Sequence, residues 1–147
     1  MLDSILAHLR TSVPFADHVG IELDTIDPGR AIARLPERLD STNHIGSVHA
    51  GALFTLAEAA SGAAMAGALA PVLLAVRPVT SRAEIVYRRI ARGPLEAIAE
   101  VSTPADDLLA ELAANGHCQF PVTVSVQDAD RTEVASLTVE WHVKRST

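Results

Sequence analysis

The fold of this protein is decided by residues 51–76, which read GALFTLAEAASGAAMAGALAPVLLAV and contain a single charged residue, Glu58. A run this long and apolar raises the question of a transmembrane helix. Ala and Gly dominate it, however, polar residues recur within it at helical spacing, and Pro71 interrupts it. A helix at the protein surface would carry a stripe of charges. We therefore expect a helix that is surrounded by protein on nearly all sides.

The composition describes one globular domain over residues 1–147. Of the 147 residues, 48% are hydrophobic and 20% are charged, so the chain is too apolar to be disordered and long enough for one core. A net charge of -6 argues against nucleic-acid binding, because Lys and Arg hold the phosphate backbone. The single cysteine, Cys118, excludes an internal disulfide. Residues 1–10 lack the basic and apolar regions of a signal peptide, so we expect a cytoplasmic protein.

Alternation of apolar and polar residues predicts the strands that surround this helix. We expect three hairpins, which pair residues 19–24 with 30–35, 79–90 with 95–101, and 122–127 with 137–143. A short helix is predicted between the second and third hairpins, with Thr103 as its N-cap, Pro104 at its first position and Gly116 at its end. The fold class is therefore α+β.

Chemistry-bearing residues are densest in residues 42–51, which read TNHIGSVHAG and lead directly into the apolar helix. A helix N-terminus offers unpaired N–H groups and a partial positive charge, which suit a developing oxyanion. Ala50 and Gly51 are the candidate donors. Glu58 follows about two turns later, and burial there would raise its pKa toward the range of a general base. A structural role, in which Glu58 bonds a loop and holds the helix in place, fits the residue types equally well.

These residues resemble the motif of the PaaI-like acyl-CoA thioesterases of the hotdog-fold superfamily. That motif has Asn, then His-Gly-Gly six residues later, then an acidic residue nine beyond the His. Both spacings are kept by Asn43, His49-Ala50-Gly51 and Glu58. Ala50 replaces a glycine, Glu58 stands where many members have Asp, and the insertion at 104–116 is similar to a related uncharacterised branch. The resemblance implies a hotdog fold, an antiparallel sheet wrapped around one long apolar helix with a short extra helix.

The resemblance also implies a thioester hydrolase that uses no metal or cofactor. In that reaction the N–H of Ala50 binds the carbonyl oxygen, and Glu58 activates water or attacks directly. Asn43 orients the water or the carboxylate, and His49 braces the loop or contacts the thioester.

Such sites are completed by a neighbouring subunit, with a hydroxyl residue on the strand that follows the helix, and Thr80 falls at the matching place. Strict alternation puts Thr80 on the face opposite Ile85 and Tyr87, but the apolar pattern leaves its face open. The implied partners are an acyl-CoA-type substrate and further copies of this chain, as a homodimer or homotetramer with the site at the subunit interface. No nucleic acid or membrane is implied.

Several alternatives remain at this point. A hotdog module that binds acyl or CoA-type ligands without turnover is one, and a dehydratase acting on hydroxyacyl thioesters is another, although the helix start lacks that branch's Pro-Gly-rich sequence.

Other polar residues also allow two readings. Five arginines could meet the phosphates of coenzyme A or form a solvated strand edge, namely Arg77, Arg82, Arg88, Arg89 and Arg92. A metal site from His44, His49 and Glu58 lacks zinc-type spacing, and Ser47 lacks the G-x-S-x-G context of a nucleophile. His117 and Cys118 are sequence neighbours on a strand, which favours a buried thiol over a dyad.

Overall fold

The computed structural model describes residues 1–147 and is built from four helices and six strands. In chain order these are α1 (Leu2–Ser12), α2 (Pro14–Val19), β1 (Glu22–Asp27), β2 (Arg30–Leu35), α3 (Ala50–Ala68), β3 (Val76–Tyr87), β4 (Leu95–Val101), α4 (Ala105–Asn115), β5 (His117–Gln127) and β6 (Glu133–Arg145). Two short 3-10 helices lie at Leu39–Ser41 and Ala70–Ala75. No helix is both long enough and apolar enough to cross a membrane.

All six strands form one antiparallel sheet in the order β1-β2-β4-β5-β6-β3. The helix α3 packs against five of them, β1, β2, β4, β5 and β6. Small side chains permit this contact, because a Cβ on Gly67 would lie 2.2 Å from the carbonyl oxygen of Asp27 in the β1–β2 turn. The predicted architecture of a sheet around one apolar helix is confirmed.

One side of α3 is left uncovered by the sheet. Thirteen of its nineteen residues are buried. The other six recur at intervals of three, four and eight residues, which places them together on the helix surface. They are Ala50, Gly51, Phe54, Glu58, Ala59 and Gly62, and we call them the open side of α3.

The buried polar groups of α3 find their partners within the fold. The hydroxyl of Ser61 donates to the carbonyl oxygen of Glu58 at 2.7 Å and accepts from Nε1 of Trp141 on β6 at 3.2 Å. Thr55 donates to the carbonyl oxygen of Gly51 at 2.8 Å. Because each of these hydroxyls is hydrogen-bonded, the helix carries them in the core without an unpaired polar group.

The strand pairing corrects one of the three predicted hairpins. The third, β5 with β6, is confirmed, but β3 and β4 do not pair with each other. Instead β3 pairs along its length with β6, and β4 lies between β2 and β5. Alternation reports that a segment is half-buried and extended; it carries no information about which strand lies beside it.

Smaller corrections concern the helix ends. Val19, predicted in the first strand, ends α2, and Gly20 follows it in a left-handed conformation with φ of 91°. The helices α1 and α2 themselves have no counterpart in the prediction. The insertion helix α4 is confirmed, with Gly116 at its end, but its N-cap is Pro104 and not Thr103.

Candidate active site

The loop before α3 is held together by the side chain of Asn43. Its Oδ1 accepts hydrogen bonds from the backbone N–H groups of Ile45 and Ser47, both at 3.1 Å. Its Nδ2 donates to the hydroxyl of Ser47 at 2.8 Å, and Ser47 is buried. The motif asparagine is therefore bonded within its own loop, and it fixes the chain that leads to His49.

The first turn of α3 leaves one N–H group without a partner. His49 is the N-cap, and its Nδ1 accepts from the N–H of Gly51 at 2.8 Å. Its carbonyl oxygen accepts from Ala52 and Leu53. The N–H of Ala50 donates to nothing, and Ala50 is exposed. Of the two candidate donors, Gly51 is occupied and Ala50 is available to a ligand.

The same contacts define the role of the His49 side chain. Its Nδ1 atom is occupied by the N–H of Gly51, so Nε2 is the ring nitrogen left for another partner. His49 thus braces the helix start, one of the two roles that the resemblance implies, and the residue is exposed.

Three contacts from the end of β3 and the segment after it support this loop, and none of them was predicted. The hydroxyl of Tyr87 donates to the carbonyl oxygen of Ala50 at 3.2 Å. Arg92 donates to the carbonyl oxygen of Gly46 at 3.3 Å, and the N–H of Val48 donates to Ala91 at 2.8 Å. Residues so far apart in sequence are joined only by the sheet, so no local motif could have identified them. We call residues 43–51 the donor region.

Glu58 lies half-buried on the open side of α3. Its carboxylate accepts no hydrogen bond from the protein and takes part in no ion pair. Burial raises the pKa of Glu58 above its ordinary value near 4.5, because desolvation disfavours the charged form. A Glu58 that holds a loop by hydrogen bonding, the structural alternative, has no counterpart in this arrangement.

Glu58 borders a cleft of about 380 Å³ between α3 and the N-terminal helices. Twelve of its eighteen lining residues are hydrophobic. The indole ring of Trp141 closes one side and lies against Gly62, where a Cβ would be 3.4 Å from the ring. The carboxylate therefore faces a mostly apolar space, which accounts for its desolvation.

A β-bulge settles the orientation of Thr80. Thr80 pairs with Trp141 and the register shifts before Arg82, so Ser81 is an extra residue in β3. Beyond the bulge, Ile85 pairs with Leu137 and Tyr87 with Ala135. Directly opposed residues share a face, and Trp141, Leu137 and Ala135 are all buried. Thr80 therefore shares the helix-facing side with Ile85 and Tyr87.

Thr80 also lies toward the Glu58 end of the site. Its partner Trp141 contacts Gly62, one turn beyond Glu58, and Pro78 of the same strand lines the cleft beside Glu58. Tyr87, at the far end of β3, reaches Ala50 instead. We call Glu58, Thr80 and Trp141 the acid region.

The donor and acid regions of one protomer stand apart. Ala50 and Glu58 are eight residues apart on a continuous helix, which corresponds to about 12 Å along its axis. A carboxylate that attacks or activates water must be within about 3 Å of that water, and the carbonyl oxygen must be as close to its donor. One chain alone does not bring both groups to the same carbonyl group.

The remaining candidates occupy other parts of the molecule. Arg88 pairs with Glu133 at 2.8 Å and Arg82 with Glu84 at 3.3 Å, whereas Arg77 and Arg89 are exposed without a side-chain partner. His44 is exposed on the loop. Cys118 is fully buried, and burial together with Glu111 raises the pKa of its thiol to about 11. A thiol in that state is a packing residue.

Comparison with known proteins identifies the family. Residues 4–143 match the family described as "Domain of unknown function (DUF4442)", and the chain belongs to it. No curated protein matches.

Solved structures establish the hotdog fold. Protein PA5026 of Pseudomonas aeruginosa, described as a probable thioesterase, is 23% identical with a TM-score of 0.86 over 99% of this chain and 97% of its own. A thioesterase family protein of Silicibacter pomeroyi is 19% identical with a TM-score of 0.80 over 99% and 100% of the two chains. The Escherichia coli PaaI protein, from the phenylacetic acid degradation operon, is 21% identical with a TM-score of 0.71 over 96% and 97%. Structural similarity at these low sequence identities establishes a shared fold but not a shared activity, which depends on the residues of the site.

Proposed function

We propose that this protein hydrolyses acyl thioesters of the acyl-CoA type, in a site that two copies of the chain complete together. The observation that carries the proposal is the carboxylate of Glu58, which is desolvated and has no hydrogen-bond partner. Glu58 is half-buried, and a partly desolvated charge without a partner lowers stability and is more frequent at functional sites. The thioesterase descriptions of proteins with the same fold support the same class of reaction.

The proposed chemistry needs only the groups already described. Glu58 takes a proton from a water molecule as the water oxygen attacks the carbonyl carbon of the thioester. The carbonyl oxygen becomes negative and is stabilised by the N–H of Ala50 and the positive end of α3. The C–S bond then breaks, the leaving sulfur takes the proton from Glu58, and a carboxylic acid and a free thiol are released. In this proposal Thr80, the hydroxyl residue on the strand that follows the helix, holds the water.

A second copy is required by the separation of the two regions. If two α3 helices lie antiparallel about a two-fold axis, Ala50 of one chain approaches Glu58 of the other, and the symmetry creates two such sites. Asn43, His49 and Tyr87 then act as positioning residues, because each fixes the helix start that carries the Ala50 donor.

The exposed surface around the site fits this assembly. The strand β3 is twelve residues long and forms an edge of the sheet, and an unprotected edge of that length favours pairing with another chain. It exposes Val79, Val86 and Tyr87, and Phe54 lies half-exposed between Ala50 and Glu58 on the open side of α3. Association of these surfaces would bury apolar area that the single chain leaves in water.

The CoA part of the proposal rests on charge. Arg89 lies two residues beyond Tyr87, whose hydroxyl bonds Ala50, and it has no carboxylate partner, although the chain as a whole is acidic. Guanidinium groups bind phosphates well. Arg89→Ala should raise KM for an acyl-CoA and leave KM unchanged for the matching N-acetylcysteamine thioester, which has no phosphates. Equal effects on both substrates would contradict this assignment.

The deciding experiment measures thiol release from octanoyl-CoA by wild type, Glu58→Gln and Glu111→Gln. Glu111 is exposed on α4, so it provides the same chemical change away from the site. We expect Glu58→Gln to lose about a thousandfold in kcat, the size of a general-base contribution. Wild type that binds octanoyl-CoA but releases no thiol from any acyl-CoA would overturn the proposal and make the protein a binding module.

Subunit sharing is tested by mixing two inactive variants. A dimer of Ala50→Pro with Glu58→Gln has one site with both changes and one site with neither, if each site takes Ala50 and Glu58 from different chains. Random mixing should then restore about a quarter of wild-type activity, since half of the dimers are mixed and half of their sites are intact. No recovery in a mixture shown to exchange subunits would place both groups on one chain.

A further inference from the structure

We infer that the cleft beside Glu58 binds the acyl group, and that it selects an uncharged, apolar acyl chain of medium length. This inference rests on the proposed thioester hydrolysis and adds the class of substrate. Its basis is the construction of the cleft, which joins the reacting carboxylate to an apolar space that the N-terminal helices enclose.

The inner wall of the cleft is a face of α3 on which every lining residue beyond Glu58 is small except Met65. Ala59, Gly62, Ala63 and Ala66 all line the cleft, and their spacing of three, four and seven residues places them in one stripe directly beyond Glu58. No side chain longer than a methyl group projects from this stripe. An acyl chain whose carbonyl carbon lies at Glu58 can therefore run along the helix surface.

The outer wall is formed by α1, which has no buried residues and packs over the cleft through Leu9. Arg10 links the end of this helix to β1. Its Nε donates to the carbonyl oxygen of Leu23 at 2.9 Å, and its Nη2 donates to the carbonyl oxygen of Asp24 at 3.3 Å. These carbonyl groups belong to β1, the edge strand at the other side of the sheet. These hydrogen bonds add to the packing of α1 against the core, which is made by its partly buried apolar side chains Leu2, Ile5, Leu6 and Leu9.

Charge decides which acyl groups fit. The cleft has three charged or titratable residues besides Glu58, namely His8, Arg10 and Asp17, and all three are exposed at its rim. Arg10 is already bonded to backbone carbonyls. No buried cation faces the interior, so a second carboxylate at the end of an acyl chain would lie unpaired near Glu58. Dicarboxylic acyl groups such as succinyl are therefore excluded.

Volume sets the chain length. The cleft measures about 380 Å³, at the lower end of the range for small-molecule pockets. A methylene group takes up on the order of the volume of a water molecule, roughly 30 Å³, so the space holds about twelve carbons. A chain of about eight to twelve carbons fits the cleft, and a much longer one extends past its edge, where Leu74 is 99% exposed.

The test compares kcat/KM for propionyl-, octanoyl-, palmitoyl- and succinyl-CoA in wild type, Ala59→Leu and Ala110→Leu. Ala59 is half-exposed in the cleft wall, and Ala110 is exposed on α4 as the matched control. We expect wild type to prefer octanoyl over the other three substrates. Ala59→Leu should lower the octanoyl-to-propionyl ratio by roughly tenfold, about the effect of two lost methylene burials, and Ala110→Leu should leave the ratio unchanged.

The outcomes separate this inference from the proposed function. If the protein releases thiol but Ala59→Leu leaves the octanoyl-to-propionyl ratio of kcat/KM unchanged, the cleft does not bind the acyl group, and the proposed hydrolysis still holds. A preference for succinyl-CoA would have the same meaning. Calorimetric titration of Glu58→Gln with octanoyl-CoA tests binding in the cleft independently of hydrolysis. Binding that Ala59→Leu weakens roughly tenfold in that background supports the cleft, even if no variant turns over any substrate.

Discussion

The donor region and the acid region of this protein lie on the same helix but are built by different means. In the donor region, residues 43–51 are linked by short hydrogen bonds between close sequence neighbours, with Asn43 bonded to Ser47 and His49 to Gly51. In the acid region, Glu58 is half-buried, has no hydrogen-bond partner and borders a cleft lined by apolar groups from α1, β1, β3 and β6. A backbone donor must be held rigidly at one point, whereas a base requires removal from water, so local bonding suits the first and long-range packing the second.

The largest effect that would test this contrast is removal of the Ala50 N–H. Ala50 is the first residue of α3 and His49 before it is extended, with φ of -62° and ψ of 139°, so proline fits the backbone there. Ala50→Pro should lower kcat for octanoyl-CoA by about 100- to 1000-fold, the usual loss of one oxyanion donor. Ala50→Gly keeps the N–H and should stay within a few-fold of wild type. Full activity in a folded Ala50→Pro protein would remove Ala50 from the site.

The next effect concerns the stability of the donor region. Asn43→Ala removes three hydrogen bonds and leaves the N–H and hydroxyl of the buried Ser47 without their partner. We expect the free energy of unfolding in urea to fall by about 2–3 kcal/mol. Asn43→Asp keeps both acceptor contacts and lets the Ser47 hydroxyl donate, so it should recover more than half of this loss. Equal losses in the two variants would mean that Oδ1 is not the important atom.

A smaller effect is expected from the titration of Glu58, which should change kcat/KM by about tenfold for each pH unit below its pKa. Burial raises its pKa, and only the ionised carboxylate can accept a proton. The value of kcat/KM should therefore fall as the pH is lowered through that raised pKa and reach a plateau above it. The midpoint should lie above 4.5, the ordinary value. A profile that is flat down to pH 4.5 would contradict a base at this position.

The smallest effect is a gain in stability. Because the folded state raises the pKa of Glu58, it binds that proton to a higher pH than the unfolded chain does. Between the pKa of Glu58 in the unfolded chain and its higher pKa in the folded protein, stability falls as pH rises. Above the folded-state pKa, the full cost of the desolvated charge is present. Glu58→Gln should therefore stabilise the protein at pH 8 by about 1 kcal/mol or less, a typical exchange of activity for stability. The gain should vanish well below pH 4.5, and thermal unfolding at both pH values, with Glu111→Gln as control, measures it.

The comparison also explains which parts could be predicted from the sequence. The helix α3, the β1–β2 hairpin and the β5–β6 hairpin depend on periodicity and local residues, and all were predicted. The pairing of β3 was predicted wrongly, because a strand's partner depends on the whole sheet. The two N-terminal helices were missed, since α1 is short and has no buried residue to mark it.

The candidate site divides in the same way. Asn43 and His49 were identified by resemblance to a family motif, Ala50 and Glu58 also from their positions on the apolar helix, and their roles in catalysis remain predictions. That the N–H of Gly51 is occupied while that of Ala50 is free depends on the contact between Gly51 and His49 Nδ1, which the sequence does not reveal. The face of Thr80 could not be predicted because one inserted residue, Ser81, reverses the alternation of β3.

By itself, the sequence determined that one apolar helix with a single carboxylate would form the centre of an α+β domain, because hydrophobic burial follows directly from residue type. Only the tertiary structure decided that this carboxylate has no hydrogen-bond partner and faces a cleft under α1, and that Tyr87 supports the helix start from another strand. Desolvation and long-range hydrogen bonds depend on segments that the fold brings together from far along the chain. Their consequences for Glu58 therefore cannot be read from its sequence neighbours.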